Sequence, residues 1–169
     1  LLRENVSAMM GLSDTDMVLA AAPLAEEAGI PFVTSGATSP RLAEVYKVLF
    51  LACFGDNAQA QAGALYAYDE MGLKTCSLLV DGDMEYAGLL ASYFKEQYQD
   101  LGGEIVLEAF LNGSDPLNIS RAIIDADADM IYLAAGPDEA EDLIESMRRE
   151  GIDCPVFGGD SFDSPQLRR

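Results

Sequence analysis

Short apolar runs alternate with longer amphipathic segments along most of this 169-residue chain. The apolar runs predict strands, and the segments in which apolar residues recur every three or four positions predict helices. Strands are predicted at residues 6–10, 30–34, 48–52, 75–80, 104–110, 130–134 and 156–157, and helices at 16–28, 57–71, 85–101, 116–125 and 137–150. This alternation predicts an α/β fold in which parallel sheets carry helices on both faces.

The sharpest change of pattern lies at residues 30–42, IPFVTSGATSPRL. An apolar strand stops there at a loop of small hydroxyl-bearing residues. Ser39 and Pro40 then predict a helix start, with Ser39 as the N-cap and Pro40 at the first helical position. Such a loop can offer hydroxyls and backbone N–H groups to an anion. An ordinary capped turn has the same sequence, so this segment alone does not decide its role.

The other loops that follow predicted strands sharpen the picture, because ligands of open parallel sheets bind beyond the carboxyl ends of the strands. These loops lie at residues 11–16, 81–86, 134–139 and 158–163. Some are rich in glycine and hydroxyls, and others carry acids and a tyrosine. Together they suit a zwitterion, with hydroxyls for its carboxylate and an acid for its ammonium group.

Charge and composition exclude several kinds of function. The net charge of −19 opposes binding to nucleic acid or to anionic membrane surfaces. The chain has no histidine, so common zinc sites and Ser-His triads are excluded within it. It also lacks a P-loop and a dinucleotide-binding glycine fingerprint, and no stretch reaches the length of a membrane span. We therefore expect no cofactor, metal ion or membrane-inserted segment.

Two details of composition stay open as alternatives. Asp81, Asp83 and Glu85 could bind Mg²⁺ as in a phosphoacceptor domain, but no lysine follows Lys95, and a solvated acidic turn is favoured. Of the three cysteines, Cys76 lies in an apolar strand and is expected to be buried. Whether the other two, at positions 53 and 154, pair is not decided by the sequence.

The motifs, taken in order, resemble type I periplasmic (extracellular) solute-binding proteins of ABC transporters, in the branch that binds leucine, isoleucine and valine. The resemblance rests on the turn at 11–15, the segment 22–42, the VLF…D…Q stretch through Phe50, Asp56 and Gln59, LLVDGDMEYAG, IYLAAGPDEAEDLIESMRREG and the closing FGGDSF. It covers nearly the whole chain. No single motif is specific, and the order and spacing carry the resemblance.

The resemblance implies two α/β lobes joined by crossover strands that close around a ligand by hinge motion. Residues 1–51 would be a truncated part of lobe I, residues 52–157 most of lobe II, and residues 158–169 the return toward lobe I. Because the chain begins at Leu1 and the family's first strands and C-terminal portion have no counterpart, we expect a fragment that lacks part of its pocket.

The implied function is non-enzymatic. A periplasmic or extracellular protein would bind an amino acid or similar small polar solute and deliver it to an ABC permease. No signal peptide is visible in the chain. A ligand-sensing domain of a receptor, or a regulator that responds to an amide or amino acid, is the alternative with the same fold.

Residues of the first-lobe half of the pocket follow from the same resemblance. Thr15 matches the hydroxyl that receives the ligand carboxylate, and a helix N-cap is the alternative role for it. Gly36 and Thr38 match the loop that contacts the ligand through backbone and hydroxyl groups, with Ala37 between them.

Three further positions complete the expected pocket. Tyr86 matches the tyrosine that closes over the ligand, and Asp160 matches the acid opposite its ammonium group. Gly136 stands where branched-chain binders often place an aromatic side chain, so we expect more room there and a bulkier or chemically different ligand. Asp instead of Glu at position 160 also shortens the reach of the acid.

Overall fold

A computed structural model describes residues 5–168, which form seven strands and six α-helices. The strands are β1 (Met9–Met10), β2 (Phe32–Thr34), β3 (Leu49–Leu51), β4 (Thr75–Val80), β5 (Glu104–Phe110), β6 (Met130–Ala134) and β7 (Val156–Phe157). The helices are α1 (Thr15–Ala28), α2 (Pro40–Val45), α3 (Asp56–Leu65), α4 (Glu85–Asp100), α5 (Pro116–Ala126) and α6 (Pro137–Arg149). Strands and helices alternate as predicted, which confirms the α/β class.

Contacts divide the chain into two compact units that meet in sequence between Ala58 and Gln59. Residues 158–168 belong to the second unit. The lobe bounds expected from the resemblance, 1–51, 52–157 and 158–169, concern a whole two-lobed protein and remain a prediction.

The first unit is built on a parallel sheet with the strand order β1–β2–β3. Phe32 and Leu49 pack with Val18 and Ala22 of α1 and with Leu42 of α2 into a buried apolar cluster. Each side chain of this size contributes about 1.5–3 kcal/mol when fully buried. The packing fixes the turns that follow β1 and β2 at one edge of the sheet.

The second unit contains a four-stranded parallel sheet with the order β5–β4–β6–β7. Side chains of β4 and β6 alternate between two buried clusters. Leu78 and Tyr132 lie in the cluster that α3 and α4 cover, and Leu79 and Leu133 lie in the cluster that α5 and α6 cover. Helices therefore cover both faces of this sheet, as predicted. Cys76 is buried in β4, and burial raises the pKa of its thiol to about 12.

Element bounds agree with the sequence where apolar runs are compact, as in the strands at 75–80, 104–110, 130–134 and 156–157. The helix predicted at 57–71 differs, because its last part is a separate π-helical turn, Tyr66–Glu70. The centroid of the Tyr66 ring lies 6.3 Å from that of Phe157, and Tyr68 meets Tyr98 edge-on at 6.0 Å. These ring contacts accompany the change of helix type, and sequence periodicity does not show them.

Candidate ligand-binding site

The turn between β1 and α1 positions Thr15. Asp14 is the N-cap of α1, and its carboxylate accepts a hydrogen bond from the backbone N–H of Met17 at 3.0 Å. Thr15 is therefore the first helical residue, with only 2% of its surface exposed. The alternative role of Thr15 as the cap is wrong, because Asp14 already fills that position.

The turn between β2 and α2 is held from within by Thr34. Its hydroxyl donates to the carbonyl of Leu12 at 2.5 Å and accepts from the backbone N–H of Ala37 at 3.1 Å. A Cβ atom at Gly36 would lie 2.7 Å from the Cβ atom of Ser13, so only glycine fits there without a shift. The turn that contains Gly36, Ala37 and Thr38 thus touches the turn that precedes Thr15.

Three hydroxyls around these turns are buried and without a protein partner. Thr15, Thr38 and Ser39 are 2%, 1% and 0% exposed, and none of their hydroxyls forms a hydrogen bond with any residue that the structure describes. Ser39 is the N-cap of α2 as predicted, but its side chain makes no capping bond. A buried hydroxyl without a partner costs about 1–3 kcal/mol. Each of these hydroxyls keeps an unused capacity to donate one hydrogen bond.

Ser39 was not among the predicted site residues. The sequence feature that indicates a binding role for Ser39 is its position in a run of hydroxyl-bearing residues. The capping role that the sequence suggested for it concealed the buried, unpaired hydroxyl that the structure shows.

The second unit brings Tyr86 and Asp160 together, although 74 positions separate them in sequence. Tyr86 lies in the first turn of α4 and is 7% exposed, and its hydroxyl donates to Oδ1 of Asp160 at 2.9 Å. Asp160 itself is exposed. The carboxylate is thus oriented on one oxygen and open to solvent.

Three neighbouring residues hold Asp160 in place. The sequence alone does not assign this role to any of them. The backbone N–H of Asp160 donates to Oε1 of Gln59 at 3.0 Å. The hydroxyl of Ser161 donates to the carbonyl of Ala135 at 3.0 Å. A Cβ atom at Gly159 would lie too close to the Tyr86 hydroxyl oxygen, so a larger residue at that position would displace the tyrosine.

Two side chains, those of Glu139 and Met84, partly fill the space next to Gly136. Gly136 precedes α6 and is buried, and a Cβ atom there would lie 2.9 Å from Oε2 of Glu139 and 3.4 Å from Sδ of Met84. Both side chains also line a cavity of about 340 Å³. Loss of an aromatic ring at this position therefore leaves a surface shared by a carboxylate and a thioether rather than simple empty room.

The acidic turn after β4 is organised by its own backbone. Oδ1 of Asp81 accepts a hydrogen bond from the backbone N–H of Asp83 at 3.0 Å. Across residues 5–168, no group of three or more His, Cys, Asp or Glu side chains is arranged to hold a metal ion. The carboxylate of Asp81 is therefore used to hold the backbone of its own turn.

The two units thus carry complementary chemistry. The first holds buried hydroxyls beside glycine-containing turns, which suit a carboxylate, and the second holds an oriented carboxylate, which suits a cation. The sequence model of the family described as "Periplasmic binding protein" matches residues 1–168. The chain belongs to the periplasmic binding protein family.

Similar solved structures include two proteins whose names give an amino acid as the ligand. A leucine binding protein, LivK, from Thermotoga maritima is 29% identical, with a TM-score of 0.92 over 98% of this chain and 47% of its own. LivJ from Streptococcus pneumoniae, a branched-chain amino acid transporter substrate binding protein solved with isoleucine, is 28% identical, with a TM-score of 0.86 over the same shares. These relatives of the periplasmic binding protein family are solute-binding proteins rather than enzymes.

One curated protein sequence also matches nearly the whole chain. An "Amino acid binding protein" from Pseudomonas aeruginosa is 25% identical over 168 residues, which are 98% of this chain and 45% of that protein. The chain thus spans about half the length of the periplasmic binding proteins it matches. No helix in the described part of the chain is both long enough and apolar enough to cross a membrane.

Proposed function

We propose that this chain is part of the extracellular solute-binding component of an ABC transporter, which binds an amino acid in the periplasm or outside the cell and delivers it to the permease. Family membership supports the transport role. The names of LivK and LivJ, each 28–29% identical to this chain, support an amino acid as the ligand.

In this proposal the first unit receives the ligand carboxylate. The hydroxyls of Thr15 and Thr38 donate to it, and the turn at Gly36 and Ala37 adds backbone N–H groups. Their burial and lack of protein partners support this role, because a ligand oxygen would satisfy them.

The second unit receives the ammonium group and the side chain of the ligand. The observation that carries the proposal is the 2.9 Å hydrogen bond from the Tyr86 hydroxyl to Asp160. This bond holds a carboxylate beside a tyrosine ring. Asp160 pairs with the ammonium group through its second oxygen. Tyr86 orients this acid and covers the ligand, and Gly136 borders the ligand side chain.

A thermal-shift screen of the full-length protein that carries this sequence tests the proposal. The ligands are leucine, isoleucine, the 2-oxo acid of leucine, which lacks the ammonium group, and the amine of leucine, which lacks the carboxylate. A ligand at 100 times its Kd stabilises a protein by about 2.7 kcal/mol. We expect such a shift for an amino acid and a much smaller one for either analogue. Equal shifts with the 2-oxo acid would contradict the role of Asp160.

A pair of variants separates binding from stability. Tyr86→Phe removes the donor to Asp160, so we expect it to weaken amino-acid binding by roughly tenfold, the lower end of the about 1.5–3 kcal/mol that a hydrogen bond to a charged group contributes. Tyr98→Phe is the control, because its hydroxyl donates to the carbonyl of Leu73 at 3.0 Å rather than to any predicted ligand contact. It should lower stability and leave binding unchanged. An equal loss of affinity in both variants would count against the proposed role of Tyr86.

A further inference from the structure

We propose that Gln59 is a positioning residue that sets the orientation of Asp160 toward the ligand's ammonium group. The inference rests on the proposed function. It concerns a residue that does not itself contact the ligand in that proposal.

The backbone N–H of Asp160 donates a hydrogen bond of 3.0 Å to Oε1 of Gln59, which lies 101 positions away in sequence. Gln59 lies in the first turns of α3, a regular helix whose next residue, Ala60, is fully buried. The helix therefore presents the amide oxygen from a rigid support. The loop that carries Asp160 has only short elements of its own, a 3-10 turn at Asp160–Phe162.

Asp160 is consequently held at two points. Gln59 fixes its backbone, and Tyr86 fixes one carboxylate oxygen at 2.9 Å. The adjacent Ser161 is anchored separately, through its hydroxyl, to the carbonyl of Ala135. With backbone and Oδ1 both held, Oδ2 keeps one direction. A fixed acceptor loses less conformational freedom when a cation binds, which raises affinity without a new ligand contact.

The chemical identity of residue 59 also matters. The side-chain amide oxygen of glutamine accepts the hydrogen bond from the Asp160 N–H. Leucine at this position would fill similar space and accept nothing. Glutamate would retain an acceptor, so it is the conservative replacement.

Isothermal titration calorimetry on the full-length protein tests the inference with leucine and its 2-oxo acid as probes. We expect Gln59→Leu to weaken leucine binding by about threefold to tenfold, the value of one neutral hydrogen bond. Binding of the 2-oxo acid should change by less than about twofold, since that probe has no ammonium group to orient. Gln59→Glu should restore most of the leucine affinity. Gln61→Leu, at an exposed position of the same helix, is the matched control and should behave as wild type.

Amide hydrogen exchange reports on the bond itself. The Asp160 amide should exchange faster in Gln59→Leu than in Gln61→Leu, with or without ligand. Unchanged exchange, or an equal loss of affinity for both probes, would overturn the positioning role.

Failure of the proposed function has a different signature. If wild type and Asp160→Asn bind leucine equally, Asp160 is not the ammonium partner and both ideas are wrong. If Asp160→Asn loses leucine binding while Gln59→Leu does not, only the inference about Gln59 is wrong.

Discussion

Replacing the buried hydroxyls of the first unit should stabilise the ligand-free protein and weaken ligand binding at the same time. The perturbations are Thr15→Val and Thr38→Val, made separately. Valine keeps the branched shape of threonine and removes only the hydroxyl. Both residues are at most 2% exposed, and neither hydroxyl bonds to any part of the chain that the structure describes.

The two effects have opposite signs because the hydroxyl has different surroundings in the two states. Without ligand, an unpaired buried hydroxyl costs about 1–3 kcal/mol, so its removal should raise the free energy of unfolding by about 1 kcal/mol. With ligand, the same hydroxyl would donate to a carboxylate, and hydrogen bonds to charged groups contribute about 1.5–3 kcal/mol. Each valine variant should therefore lose roughly tenfold to 150-fold in affinity.

Urea denaturation of the ligand-free protein measures the first effect, and calorimetric titration with leucine measures the second. Thr34→Val is the matched control in the same unit. Its hydroxyl is fully buried too, but it bonds to Leu12, Gly36 and Ala37. Its loss leaves partners unsatisfied, so Thr34→Val should lower stability by about 1–3 kcal/mol.

A loss of stability in Thr15→Val and Thr38→Val comparable to that of Thr34→Val would refute this reasoning, because it would show that all three hydroxyls are structural. Unchanged affinity for leucine in both variants would refute it independently, since it would remove the carboxylate from these turns.

Further predictions concern the second unit. Gly159→Ala places a Cβ atom 2.4 Å from the hydroxyl of Tyr86, so it should lower stability by about 1–3 kcal/mol and weaken amino-acid binding. Gly88→Ala meets nothing within 4 Å in a helix and should raise stability by up to about 1 kcal/mol; similar results for the two would disprove the clash. The carboxylate of Glu139 borders Gly136 and would repel an acidic ligand side chain, so wild type should bind aspartate and glutamate poorly. In a calorimetric titration, Glu139→Gln should improve the binding of both by about fivefold and leave leucine binding unchanged. Two backbone N–H groups at the start of β4 hold the pKa of Asp129 below its ordinary value. Asp129→Ala should therefore reduce stability near neutral pH, and its difference from wild type in urea titrations should vanish as the pH falls through that lowered pKa; a constant difference at all pH values would argue against this account.

Strands of the second sheet are predictable because buried strands read as short continuous apolar runs. Buried strands such as β4 and β6 are compact apolar runs flanked by turn residues, and their bounds agree with the prediction. The end of α3 was not predictable in this way. Its π-helical turn accompanies contacts of Tyr66 with Phe157 and of Tyr68 with Tyr98, which depend on distant segments.

The candidate site was predictable as a set of positions and not as a set of contacts. The resemblance named Tyr86 and Asp160 separately, and only the fold shows the bond that joins them. It also named Gly136 as a place with extra room, whereas Met84 and Glu139 border that position in the structure. Both findings depend on side-chain directions, which no spacing rule provides.

Residue roles at helix starts were the least predictable feature. Thr15 and Asp14 are neighbours that can both cap a helix, with aspartate the stronger cap of the two. The structure assigns the cap to Asp14, which leaves the Thr15 hydroxyl buried and unpaired. Ser39 shows the converse case, because it occupies a cap position without making the capping bond.

A crystal structure of the full-length protein with a bound amino acid would locate both charged groups of the ligand. We expect the ligand carboxylate within hydrogen-bond distance of the Thr15 and Thr38 hydroxyls. We also expect an ammonium nitrogen about 2.7–2.9 Å from Oδ2 of Asp160, the usual length of such a charged bond, with the Tyr86 hydroxyl still on Oδ1. An ammonium group bound elsewhere, with Asp160 facing solvent, would contradict the account.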